Sequence, residues 1–132
     1  MKEKPSSIDI FGKSRGVRFV ESSTVKQGVV CDVYAFVDDN SQDLAVVSIE
    51  AGEVSPKQLL SSGDETIEYH VQGMSNLRVE RVGGTVDIYN FPGDERAVAI
   101  NEGDVMQWCA IEDLVFYELC TPPYTDGRFK DL

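Results

Sequence analysis

From Val29 to Cys120 the chain is one short alternating segment after another, each ended by a turn: VVCDVYAFV, DLAVVSIEAG, TIEYHVQG, NLRVERV, TVDIYNF, ERAVAI, DVMQWCAI and DLVFYELC. β-Branched and aromatic residues at period two specify strands, and the Gly, Pro, Asn and Asp residues between them specify reversals. Gly83-Gly84 between two such segments predicts a hairpin, because both residues can adopt positive φ. VVCDVYAFV is apolar on both faces apart from Asp32, which predicts a strand covered on both sides, paired through DDNSQ with the segment that follows. EVSPKQLLSSGDE holds Pro56 and Gly63 and is expected to be a loop or a short irregular strand, with room for one helical turn at Pro56 to Ser61. About eight to ten strands of this kind predict an all-β fold, an antiparallel sandwich or small barrel with the jelly roll as leading candidate. Residues 1–132 are read as a single domain, with 1–16 a flexible N-terminal segment and 121–132 an extended tail.

Charge narrows the partners. Lys and Arg number 12 against 23 Asp and Glu, a net charge of −11, which repels nucleic-acid phosphates and anionic lipid heads. A small polar ligand or a protein partner is the better expectation. No apolar run approaches the ~20 residues needed to cross a bilayer, and MKEKPSSIDIFGKSRG has no apolar core, so a soluble cytoplasmic protein is expected. Cys31, Cys109 and Cys120 are odd in number and lack Cys-x-x-Cys spacing, and are read as reduced, packed thiols.

The chemistry-bearing residues are few. TIEYHVQG puts Ile67, Tyr69 and Val71 on one face and Thr66, Glu68, His70 and Gln72 on the other, and His70 is the only histidine. A polar strand face looks at water in an open sheet and at a cavity in a barrel. Trp108 alternates with Met106 and Ala110, either as core or as a stacking platform for a flat ligand. Glu118 shares a face with Phe116 and Cys120, and a carboxylate in so apolar a strand must reach water, a cation or a cavity.

The succession AGEVSPKQLL, EYHVQG, Gly83-Gly84, NEGDVMQW and LVFYELCTPPY resembles the small single-domain cupins, from about Ala51 to Tyr124. The resemblance implies an antiparallel double-stranded β-helix, the cupin jelly-roll barrel, and a homodimer. It also implies a metal held by histidines and a glutamate. Counted from Gly52 and Gly73, those positions fall on Gln58, Leu60 and Thr66, and the shortened WCAIEDL holds no last histidine. Metal chemistry is therefore not expected, and no cofactor is; a rearranged set of Glu68, His70 and Glu118 is the one metal site left to consider. Because Thr66 stands where the family's inward glutamate stands, Glu68 and His70 should point inward too, unless a bulge reverses the face. Tyr124 and Arg128 are expected to cap a pocket or seal a dimer interface.

The leading expectation is a small-molecule-binding protein whose pocket, lined by Gln58, Glu68, His70, Trp108 and Glu118, holds a small polar molecule such as a carbohydrate derivative. One alternative is a metal-independent sugar isomerase or epimerase with His70 as catalytic base and a tyrosine as acid. The other is a non-catalytic structural or interaction protein whose cavity is filled by side chains.

Overall fold

The computed structural model describes residues 4–63, 65–93, 95–123 and 128–132. These form strands and turns without a helix: β1 (Ser7–Ile10), β2 (Lys13–Lys26), β3 (Val29–Phe36), β4 (Asp43–Ile49), β5 (Gln58–Leu60), β6 (Glu65–Gln72), β7 (Ser75–Glu80), β8 (Val86–Phe91), β9 (Ala97–Asn101), β10 (Val105–Ala110), β11 (Leu114–Thr121) and β12 (Phe129–Asp131). All pairings are antiparallel. A seven-stranded sheet runs β1-β2-β3-β4-β11-β6-β9, and a five-stranded sheet runs β12-β5-β10-β7-β8. Among the described residues no helix is long and apolar enough to cross a membrane.

Alternation decides what each face of the larger sheet buries. Its inner face sends Val29, Val47, Ile49, Val98 and Phe116 against Leu77, Val79, Met106 and Trp108 of the smaller sheet. Its outer face carries a second cluster of Tyr34, Phe36, Leu44, Tyr69 and Leu119. β3 thus contributes to both clusters, Val29 to the inner one and Tyr34 and Phe36 to the outer one, while Val30 stays exposed. Ile8 and Ile10 belong to the outer cluster, and Phe11 meets Tyr69 edge-on at 5.0 Å. From Ser7 onward the lead-in pairs with the start of β2 as a hairpin. The alternating SIDI supplies two isoleucines whose burial is worth roughly 1.5–3 kcal/mol each, enough to hold it down.

Two further expectations are refined. The β7–β8 hairpin exists, but its connection spans Arg81 to Thr85 and only Gly84 has positive φ, at 93°. The Arg81 N–H still bonds to the Thr85 carbonyl at 2.8 Å, closing a turn longer than two residues, while its side chain donates to Asp104 at 2.9 Å, Asp87 at 3.0 Å and the Tyr89 hydroxyl at 2.8 Å. Of the tail expected to be extended, Phe129–Asp131 forms an edge strand, β12, pairing with β5.

Candidate functional site

A cavity of about 500 Å³ opens between the two sheets. Trp108, Met106, Phe116 and Glu68, all buried, form its floor; Glu21, Ser23 and Val25 of β2 and Asp131 of β12, all exposed, stand at its mouth. Simple alternation along β2 would place Glu21 with Val17 and Phe19 over the outer cluster. A bulge between Phe19 and Glu21 shifts the register against β3, so that Glu21 and Ser23 stand opposite Val33 and Cys31, which also line the cavity. Among the described residues the lining includes five carboxyl residues, Glu21, Asp43, Glu68, Glu118 and Asp131, and no Lys, Arg or His. Asp43 and Cys31 were not singled out by sequence, although each alternates with residues of the inner face, Asp43 with Ala45 and Val47, Cys31 with Val29 and Val33.

Glu68 and Glu118 are direct cross-strand partners on β6 and β11. Glu68 has no solvent exposure. Its Oε1 accepts a long bond of 3.4 Å from Trp108 Nε1, while no fixed donor reaches Oε2. What Glu68 faces is the Glu118 carboxyl, with which it shares a hydrogen bond. Two carboxylates cannot hydrogen-bond to each other, so the pair must hold a proton. Burial first, and then the charge of Glu118, hold the Glu68 carboxyl well above the usual carboxylate range. Burial raises Glu118 too, but the bond from Glu68 and the charge of Arg128 oppose it. Both carboxyls are raised, and two groups so coupled titrate as a pair, so the proton belongs to the pair. Burial, followed by the charge of Glu118, also pushes the Cys31 thiol up to about 12, and Cys120 is raised by the same two causes, so neither is a thiolate at neutral pH.

His70 points inward, yet away from this cavity. The register of β6 against β11 shifts between Val115 and Phe116, leaving Val71 unopposed, so the bulge comes after His70 and turns only Gln72 out to solvent. The imidazole stacks on Phe91 at 4.9 Å, Phe91 packs on Trp108 at 5.4 Å, and Trp108 stacks on Phe116 at 4.4 Å. Two aromatic rings thus separate His70 from the carboxyl pair. It lines a smaller recess of about 240 Å³ with Phe91, Pro92 and Arg96. Its Nε2 lies 2.7 Å from the Gly73 carbonyl oxygen, which can only accept, so Nε2 carries the proton. A base that lines the same pocket as Glu68 and Trp108 is the expectation this geometry corrects. Of the residues singled out for the pocket, Gln58, Glu68, Trp108 and Glu118 come together, and His70 does not.

Arg128 was expected at a pocket mouth or an interface. It is instead buried, 1% exposed, with its guanidinium spread over internal acceptors. It donates to the carbonyls of Glu65 at 2.6 Å, Pro122 at 2.7 Å and Thr121 at 3.2 Å, and to Thr66 Oγ1 at 3.2 Å from both Nε and an Nη. This ties the tail to the start of β6 and the end of β11. Tyr124 lies outside the described residues.

The comparisons agree on the architecture. No family model matches the chain, and no curated protein matches it. Among solved structures, KdgF from Halomonas sp. superposes with a TM-score of 0.61 at 21% identity, covering 81% of this chain and 89% of that one. Oxalate decarboxylase from Lactobacillus farciminis, in a formate complex, gives 0.65 at 18% identity over 88% of this chain and 33% of that one. This is the cupin fold. The 7S globulin of Momordica charantia, at 0.63 and 20% identity over 86% of this chain, is another cupin barrel of which the chain spans about a third, 34%. Proteins so differently named share the barrel, so the fold alone specifies no activity.

The cupin metal positions do not fit a metal here. Leu60 is buried and has no donor atom, the Gln58 amide donates to Asp131 at 3.0 Å, and Thr66 is occupied by the Arg128 guanidinium. A fixed positive charge beside these positions repels a divalent ion. Glu68, His70 and Glu118, the rearranged set, are split by the aromatic rings, and among the described residues no cluster of three or more His, Cys, Asp or Glu has metal-holding geometry.

Proposed function

We propose that the chain is a metal-independent binding protein that takes a small polar molecule rich in hydrogen-bond donors, a carbohydrate derivative being the class in view, into the carboxyl-lined cavity. The carrying observation is Glu68 Oε2, a wholly buried oxygen without a fixed donor on the floor of a 500 Å³ space. Ligand pockets commonly run from about 300 to 1,000 Å³ and combine apolar walls with a few convergent polar groups, as Trp108 and Phe116 do here with Glu68 and Glu118. A ligand hydroxyl supplies the missing donor, and an aromatic floor suits the apolar face of a sugar ring. The pairing of two copies expected from the sequence belongs to the same proposal, and light scattering measures it.

A thermal-shift screen of neutral and amino sugars against the wild type and Glu118→Gln tests the reading. Stabilisation of the wild type that is reduced in the variant supports it. Equal stabilisation of both proteins removes the carboxyl pair from the site. Elemental analysis of protein purified without chelator is the companion measurement, and stoichiometric transition metal overturns the metal-independent reading.

A second reading is favoured by the pair itself: two neighbouring carboxyls that share one proton are a base and an acid side by side. If the protein is an isomerase, proton transfer belongs to these two residues and not to His70. Incorporation of solvent deuterium into a bound sugar is its assay.

A further inference from the structure

We infer that the ligand of this cavity carries a cationic nitrogen, an ammonium or guanidinium group that docks between Glu68 and Glu118 and displaces the proton they share. The inference rests on the cavity being the binding site and adds the charge of what binds there. Among the described residues, every titratable group lining the cavity with Glu68 is acidic or a thiol: Glu118 and Cys120 on β11, Asp43 on β4, Cys31 on β3 and, at the exposed mouth, Glu21 on β2 and Asp131 on β12. β9 and β7 bring no titratable side chain to this interior: Val98 and Ile100 come from β9, and Leu77, Val79 and the buried Ser75 from β7. The nearby cation, Arg128, is spent on three carbonyls and a hydroxyl and does not line the cavity. A ligand carboxylate or phosphate would meet like charge in this lining, and a neutral hydroxyl would satisfy Oε2 without the charge attraction that a cation gains beside Glu118. A protonated amine supplies donors to both carboxyls and removes the reason for the pair to keep a proton.

Binding is therefore coupled to proton release. While the pair holds its proton in the free protein, affinity rises with pH, by up to about tenfold per pH unit for one proton released.

Isothermal titration with matched pairs tests this: 1,5-diaminopentane against 1,5-pentanediol, and glucosamine against glucose, at pH 6.5 in two buffers of different ionisation enthalpy. The expected result is binding of an amine at least about tenfold tighter than its hydroxyl partner, as the difference between charged and neutral hydrogen bonds implies. A buffer-dependent heat should report protons released to solvent. Diaminopentane binding alone would indicate a linear polyamine, and glucosamine binding alone an amino sugar. Glu68→Gln, which keeps the neutral shape, is expected to abolish the proton release and weaken amine binding, with circular dichroism confirming that it folds. Glucose or pentanediol binding as tightly as its amine partner overturns the cationic ligand and leaves the cavity as the site. Absence of binding by all four probes at millimolar concentration counts against both. Amine binding without a buffer-dependent heat overturns the proton displacement, and the wild-type protein alone decides that point.

Discussion

Glu68 and His70 stand on one face of one strand, two residues and about 7 Å apart, and the barrel treats them in opposite ways. His70 is packed face to face with Phe91, and its Nε2 donates to the Gly73 carbonyl. Glu68 is more deeply buried, has one long hydrogen bond from Trp108, and can bond to its carboxyl neighbour only through a proton. A histidine draws attention in a sequence because its ordinary pKa suits chemistry, but a satisfied side chain has little left to offer a ligand. The group with unfinished hydrogen bonding at the floor of a cavity is the one that marks the site.

The comparison breaks most severely at the wall between the two ends. Trp108→Ala removes the ring that stacks on Phe116 and packs on Phe91, and is expected to cost about 3–5 kcal/mol in urea unfolding while also joining the two spaces. A loss below about 1 kcal/mol would mean that the aromatic wall is not packed as described.

Arg128→Met comes next. It keeps much of the side-chain volume but leaves the carbonyls of Glu65, Pro122 and Thr121 without a donor, for an expected loss of about 2–4 kcal/mol by the same measurement. Losing this cation should also move the carboxyl pair further up, extending to higher pH the range in which it holds its proton.

The pair itself gives a signature in pH. Glu68 is raised in the folded protein, so the fold binds its proton more tightly than the unfolded chain does. That contribution is fully present below the ordinary carboxylate value and is lost as pH rises toward the raised one. Across that window wild-type stability should fall with increasing pH, with a slope approaching about 1.4 kcal/mol per pH unit for one proton. Glu68→Gln should flatten this slope; an unchanged slope in the variant would assign the proton elsewhere.

The smallest effect is expected at the other end. His70→Phe keeps an aromatic partner for Phe91 and loses one hydrogen bond, about 1 kcal/mol, with no change in the pH slope or in binding to the cavity. Loss of cavity binding in this variant would return His70 to the site.

Much of the fold was legible because alternation is local. The segments VVCDVYAFV, DLAVVSIEAG and DLVFYELC became β3, β4 and β11 within a few residues of their expected limits, and the inward faces of Trp108 and Glu118 followed from parity alone. The cupin architecture was also visible, in turns and spacing. The candidate site was legible only in part. Gln58, Glu68, Trp108 and Glu118 were singled out, whereas Asp43 and Cys31 carried no signal beyond sharing parity with inward residues, and Glu21 had parity for the wrong face. Arg128 was noticed but misassigned, because nothing local distinguishes an arginine that reaches water from one that ends on three carbonyls and a hydroxyl.

The sequence by itself determined which residues alternate, where the chain reverses, how acidic it is, and that the usual cupin ligand types are missing. The tertiary structure decided what each inward side chain meets: a bulge in β2 brought Glu21 to the cavity, a bulge in β6 spared His70, and cross-strand register set Glu68 against Glu118. Period two fixes a side chain's face through its own backbone. Whether that face opens on a void, a ring or another carboxyl depends on strands that arrive from some fifty residues away, as Glu118 does for Glu68.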